Sequence, residues 1–217
     1  MTARRLVAAG TLVLASVAPA SGQGPARGTV EISGGGVIAA GYDLDRRTAT
    51  LTSNTGTTGG TFDFFDVKGR VKPSYGLLGR IGVYLTPVFS VEGGVQWLRP
   101  VIAQTITGDT EGAANVTAEE TLDQYLFEGS ALWHLGRGRA VTPFVYGGAG
   151  YLRQLHEGDA LLEEGLEIHA GLGLKWWVGK HIAIRGEGGI SIRDGNVDEE
   201  DKRRTVPTAA GSVIWVF

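Results

Sequence analysis

The chain carries four histidines, in the settings WHLG (His134), LHEG (His156), IHAG (His169) and KHIA (His181). Acyl-transfer chemistry needs a nucleophile within hydrogen-bond reach of such a base. The best-placed set is His169 with Glu167 on its own segment and Ser191 on the next. In a strand, residues 167 and 169 share one face, so the direction of that face decides whether any substrate meets them. Cation binding is the second chemistry the residue types allow. DLD at 43 to 45, FDFFD at 62 to 66 and DGNVDEED at 194 to 201 offer oxygen ligands, but none has the fixed positions and closing Glu of an EF-hand loop. Lys202, Arg203 and Arg204 follow the last cluster and offset it, which makes it a solvated loop. Zero cysteines remove thiolate metal sites and a disulfide framework. No cofactor and no resident metal are expected.

The elements that position these residues begin with an export signal. Residues 1 to 22, MTARRLVAAGTLVLASVAPASG, join an Arg pair to an apolar run from Leu6 to Val17 and then to small residues. That order is a secretory leader, cut after Ala20 or Gly22. The run is too short for a helical membrane span, which takes about 20 residues. Residues 23 to 217 are then one domain. A formal charge of −3 and a pI near 5.8 leave out the basic footprint of a nucleic-acid binder. Glycine is abundant, 35 of 217 residues, and sits inside apolar stretches, where it marks close packing in strands.

The dominant period is two. From Tyr75 to Leu85 the odd positions hold Tyr75, Leu77, Ile81, Val83 and Leu85, and the even ones hold Gly76, Arg80, Gly82 and Tyr84. Such alternation predicts a strand with two unlike faces. The same pattern recurs over Thr29 to Tyr42, Phe89 to Leu98, Leu122 to Leu135, Leu166 to Val178, His181 to Arg193 and Thr208 to Phe217. Pro143 to Arg153 is strand-like with an ambiguous facing, because both parities carry aromatics and glycines. The links after the second, fourth and sixth strands are tight, at 86 to 87, 136 to 139 and 179 to 180. The others are long and polar, at 43 to 72, 99 to 120, 154 to 165 and 194 to 205. The expected fold is all-β: an eight-stranded antiparallel up-and-down transmembrane β-barrel with its long loops at one end.

A soluble barrel would use the same period with its faces reversed. Tryptophans near strand ends favour the membrane. Trp133, Trp176, Trp177 and Trp215 lie toward the short turns, and Trp97 lies toward the long loops with Tyr42, Tyr75, Tyr125 and Tyr151. With apolar faces outward, a lumen polar network follows: Glu31, Arg80, Glu92, Glu128, Glu167, Lys175, Arg185, Glu187 and Arg193. Four cations against five carboxylates imply mutual pairing, because an unpaired buried charge is costly. Eight strands enclose just enough room for side chains to fill, so the network is expected to plug the lumen.

The stretches SVEGGVQW (90 to 97), TPFVYGGAGY (142 to 151), AGLGLKWWVGKHIAIRGEGG (170 to 189) and the terminal VIWVF resemble the small outer-membrane β-barrel family, the OmpA-like and OmpX-like domains. The resemblance covers the mature chain. It implies a bacterial outer-membrane location, contact with outer-membrane lipids and lipopolysaccharide, and a monomer. It also implies an assembly signal at Val213, Trp215 and Phe217, read by the barrel-assembly machinery. The periplasmic domain that OmpA-type proteins often append has no counterpart in this sequence. Lipid A deacylases share the architecture and pair a His with a Ser two residues on, which none of the four histidines here has. The resulting expectation is a structural or surface-adhesion role without enzymatic turnover. The alternatives are a lipid-modifying enzyme and a small channel. Recognition of an extracellular ligand would fall to the first long loop, whose Phe62, Phe64 and Phe65 are exposed aromatics on a rigid scaffold.

Overall fold

The computed structural model describes residues 25–52, 60–108, 114–136, 139–156, 159–194 and 203–217. The leader, the tract at 53–59 and all of the acidic cluster after Asp194 lie outside the described residues. The described residues form twelve strands, in order β1 (Val30–Ala39), β2 (Tyr42–Asp43), β3 (Arg47–Thr52), β4 (Thr61–Val71), β5 (Ser74–Thr86), β6 (Phe89–Leu98), β7 (Val101–Thr107), β8 (Val116–His134), β9 (Val141–His156), β10 (Asp159–Trp177), β11 (Ile182–Asp194) and β12 (Arg204–Val216).

Eight of them close a barrel. β1 pairs with β5 on one side, Ile32 opposite Ile81, and with β12 on the other, Ile32 opposite Trp215. From β5 the circuit runs through β6, β8, β9, β10 and β11 back to β12, every pair antiparallel. Closure leaves the barrel wall without an edge, the condition for a sheet that sits in lipid. The amide of Phe217 donates to the Val30 carbonyl at 3.0 Å, so the last residue joins the seam.

The outside is apolar. Tyr75, Leu77, Ile81, Leu166, Ile168, Leu172, Val213, Trp215 and Phe217 all point away from the lumen and are exposed. The facing of β9 is settled: Thr142, Phe144, Leu152 and Gln154 are buried inside, while Val141, Val145, Tyr151 and Leu155 face out. Trp133, Trp176 and Trp215 face outward near the short turns. Two belt residues do not belong to the belt. Tyr42 packs against the apolar clusters over the upper lumen, and Trp177 packs inward on Ala183, Ile214 and Val216. Nearness to a strand end did not fix their parity.

The long links also differ from the expectation. β3, β4, β7 and the first residues of β8 form a sheet that projects beyond the barrel. β4 continues β5 across Lys72 and Pro73, and β7 continues β6 across Arg99 and Pro100. Each proline interrupts the ladder where it bends. The link at 154 to 165 is a hairpin, since β9 runs to His156 and β10 starts at Asp159. Thr-rich and acidic composition made these strands read as loops.

Candidate functional site

Three lateral rows explain how large polar side chains fit into so narrow a barrel. Arg80 on β5 faces Gly94 on β6, which faces Glu128 on β8. His169 on β10 faces Gly148 on β9, which faces Ser130 on β8. Tyr146 on β9 faces Gly171 on β10, which faces Gly189 on β11. In each row a long side chain lies across a glycine. A Cβ at Gly148 would stand 2.6 Å from His169 Nε2, and a Cβ at Gly171 would stand 2.6 Å from the Tyr146 hydroxyl. Inward glycines thus supply the space that the charged interior needs.

All nine residues of the polar set lie inside the barrel, and they fall into three groups. Nearest the termini, Lys175 donates to Glu31 at 2.6 Å and to the Tyr84 hydroxyl at 3.0 Å. Its ammonium also stands over the rings of Tyr84 and Phe144. In the middle, the Arg185 fork donates to both oxygens of Glu92, at 2.7 and 2.9 Å, and its Nε donates to Glu187 at 2.6 Å. Arg80 donates to Glu128 and Glu187, each at 2.6 Å, and Gln96 donates to the other oxygen of Glu128. Two guanidinium groups therefore hold three carboxylates in planar, charge-assisted bonds. Above them, Arg193 donates to Ser191 and Gln124 and lies 3.9 Å from Glu167.

Apolar residues close both ends of this column. Val37, Ala39, Leu78, Leu98 and Val206 form one cluster at the loop end, with Val71, Ile102 and Leu122 beside it. Ala183, Ile214 and Val216 form the other at the turn end. Two voids among the described residues of the lumen measure about 10 Å³ beside Arg193 and about 20 Å³ beside Glu167 and His169. Each is the size of a single water.

Among the described residues, His134 and His169 each meet one serine hydroxyl and no orienting carboxylate. His169 Nε2 lies 2.7 Å from Ser130 Oγ, and not on Ser191, its register neighbour. His134 Nε2 lies 2.9 Å from Ser90 Oγ. Nδ1 of both rings has no partner among the described residues, so no carboxylate orients either imidazole as a triad requires. His181 donates from Nδ1 to the Val216 carbonyl, and the side chain of His156 lies outside the described residues. Among the described residues no three His, Asp or Glu side chains converge as metal ligands would.

At the projecting end, the rings of Phe64 and Phe65 meet at 5.3 Å. They line a cavity of about 190 Å³ with Ile106, Thr107 and Val116. The side chain of Phe62 lies outside the described residues. Arg46 donates to Asp66, with Thr48 donating to the other oxygen at 2.7 Å. These bonds hold the Asp66 carboxyl below the usual carboxylate range.

The sequence matches the pattern of the outer membrane protein beta-barrel domain over residues 7–207. No curated protein matches it in sequence. Among solved structures it is similar to the outer membrane protein OprG from Pseudomonas aeruginosa, at 11% identity and a TM-score of 0.61, covering 91% of this chain and 98% of that one. It also matches the N-terminal β-barrel domain of P. aeruginosa OprF, at 15% identity and a TM-score of 0.45 over 89% and 100% of the two chains. A third match is Ail, the attachment invasion locus protein of Yersinia pestis, at 13% identity and a TM-score of 0.47 over 88% and 99%. At such identities the likeness to OprG speaks for the fold alone. With most of the chain inside the family's pattern and the wall closed on itself, the protein belongs to the outer membrane protein β-barrel domain family, and its place is the outer membrane.

Proposed function

We propose that this protein is a non-conducting barrel of the outer membrane whose projecting sheet serves extracellular interaction, with no enzymatic turnover. The observation that carries the reading is the packed lumen: ion-paired side chains between two apolar clusters, leaving voids of about 10 and 20 Å³. The pairing of Arg80 and Arg185 with Glu92, Glu128 and Glu187 supports a structural role for the middle group, while Glu31 Oε1, Glu167 Oε2 and Arg193 Nη2 have no hydrogen-bond partner among the described residues. The lack of turnover is supported by the two Ser–His contacts, which lie buried inside the wall without an orienting carboxylate. Phe64, Phe65, Ile106 and Val116 at the projecting end supply the apolar contact that recognition uses.

In this reading residues 1 to 22 are the export leader, Val213, Trp215 and Phe217 guide assembly, and the barrel works as a monomer. The test is binding to whole cells or matrix by a variant lacking residues 55 to 66, a deletion that takes Phe64, Phe65 and the first part of β4 and none of the barrel strands. Binding should fall to background while surface levels hold. Unchanged binding would remove the tip from the account.

A further inference from the structure

β8 rises higher than its neighbour on one side. It pairs with β7 over residues 116–121 but with β9 only from Leu122, which stands opposite His156. Above that level β8 is the outermost strand of the projecting sheet among the described residues, and residues 116–120 are all exposed. The Leu122 amide donates to the Pro100 carbonyl at 2.9 Å, toward β7. Facing residues in an antiparallel pair alternate between bonded and non-bonded, so Val116, Ala118 and Glu120 also bond toward β7. Thr117 and Glu119 then turn their backbone N–H and C=O groups to the open side. The Thr105 and Thr117 hydroxyls meet at 3.1 Å, as side chains of a non-bonded pair do. Such an edge accepts one more strand.

Beside this edge lies the cavity of about 190 Å³ between Phe64 and Phe65 on β4, Ile106 on β7 and Val116 on β8. Val67, Ile106 and Val116 form one row across the three strands. A strand added beyond β8 continues that row, and every second side chain of it falls on the cavity's face. An apolar cavity of about 150 Å³ takes a benzene ring. A phenylalanine- or leucine-sized group therefore fits the volume here.

Charge selects the kind of strand. Residues 101–123 hold five carboxylates, Asp109, Glu111, Glu119, Glu120 and Asp123, and no Lys or Arg. Lys72 pairs with Glu119 and Arg99 with Asp123, which leaves the strip net negative. A second copy of this chain would bring the same carboxylates to the same edge, and like charges facing across strands destabilise the pairing. A basic strand meets the opposite sign.

We infer that the open edge of β8 at Thr117 and Glu119 accepts an extended, basic segment of a partner protein, with one large apolar side chain seated between Phe64, Phe65, Ile106 and Val116. The inference deepens, and rests on, extracellular interaction through the projecting sheet. Backbone bonds supply the affinity, and the cavity and the carboxylates supply the selection.

The test titrates the full chain in detergent with a fluorescent peptide of alternating Lys and Phe, read by anisotropy. It is compared with the same peptide N-methylated at its odd or its even amides, and with a peptide of alternating Glu and Phe. One of the two methylated forms and the Glu–Phe peptide should each bind about tenfold or more weakly, the loss of one or two hydrogen bonds or charge contacts. Thr117→Pro removes an N–H on the open side and none bonded to β7, and it should weaken Lys–Phe binding by about the same factor. Heat-modifiable gel mobility reports the fold. If Thr117→Pro fails to fold, Glu119→Lys serves, and it should shift the preference to the Glu–Phe peptide. No binding of the Lys–Phe peptide, or equal binding by wild type and Thr117→Pro, would overturn the inference. Equal binding of the two peptides would overturn the basic partner, and wild-type dimers abolished by Thr117→Pro would assign the edge to a second copy instead. Cell binding that is lost on deleting residues 55 to 66, with no peptide binding, would remove edge pairing and leave recognition at the tip standing.

Discussion

Lys175 Nζ lies 2.6 Å from Glu31 Oε2, joining the third strand from the end of the chain to the first strand across the lumen. The lysine is fully buried, and its ammonium rests between the rings of Tyr84 and Phe144. The pair is a specific contact between distant parts of the sequence at the closing end of the barrel.

Removing one member strands the other charge in the interior, at about 3–5 kcal/mol. Lys175→Met and Glu31→Gln are each expected to lower the unfolding free energy of the barrel in detergent by that order, read from urea titrations. The double change Lys175→Met with Glu31→Gln should cost less than the sum of the two single losses. Additive losses would mean that the two groups do not depend on each other.

The glycine rows make a second prediction. A Cβ at Gly173 would stand 2.4 Å from Phe144 Cζ, inside the lumen, whereas a Cβ at Gly186 would meet no atom within 4 Å. Gly173→Ala should destabilise by about 1–3 kcal/mol through overpacking. Gly186→Ala should stay within about 0.5 kcal/mol, and Phe144→Leu should recover part of the Gly173→Ala loss.

At the projecting end, hydrogen bonds from Arg46 and then Thr48 hold the Asp66 carboxyl low. A depressed folded value stabilises the β3–β4 hairpin above the unfolded carboxylate value of about 3.9, and the contribution is lost as pH falls through the lower folded value. Hydrogen-exchange protection factors of β3 and β4 should stay level from neutral pH to about 4 and fall below it. Asp66→Asn should flatten that step.

Phe217 is exposed outside the barrel and gives the seam one backbone bond. Its deletion should leave the unfolding midpoint of refolded protein almost unchanged while reducing the amount inserted in cells. Surface levels equal to wild type would count against a role for Val213, Trp215 and Phe217 in assembly.

The wall was legible because its two faces differ at every second residue: Ile81 and Leu77 stand outside, and Arg80 stands inside. β9 was not, since Phe144 points inward and Val145 and Tyr151 outward. The inward rings of Phe144 and Tyr146 lie over Gly171, Gly173 and Gly189, space that belongs to other strands. The charged set could be read as residues, but its pairing could not. His169 meets Ser130 by reaching past Gly148, a relationship between strands that are not neighbours. An inward glycine between two polar positions is the signal that would have found it. The projecting sheet escaped notice because strands in water need no apolar outer face, so Lys68, Arg70, Thr105 and Thr117 read as loop residues.

The packed lumen is the central claim, and planar-bilayer recording of the purified full chain tests it most directly. The account predicts a flat baseline after insertion, because Arg80, Arg185 and their three carboxylates fill the section between the two apolar clusters. Stable, repeated single-channel openings from wild-type protein would contradict it.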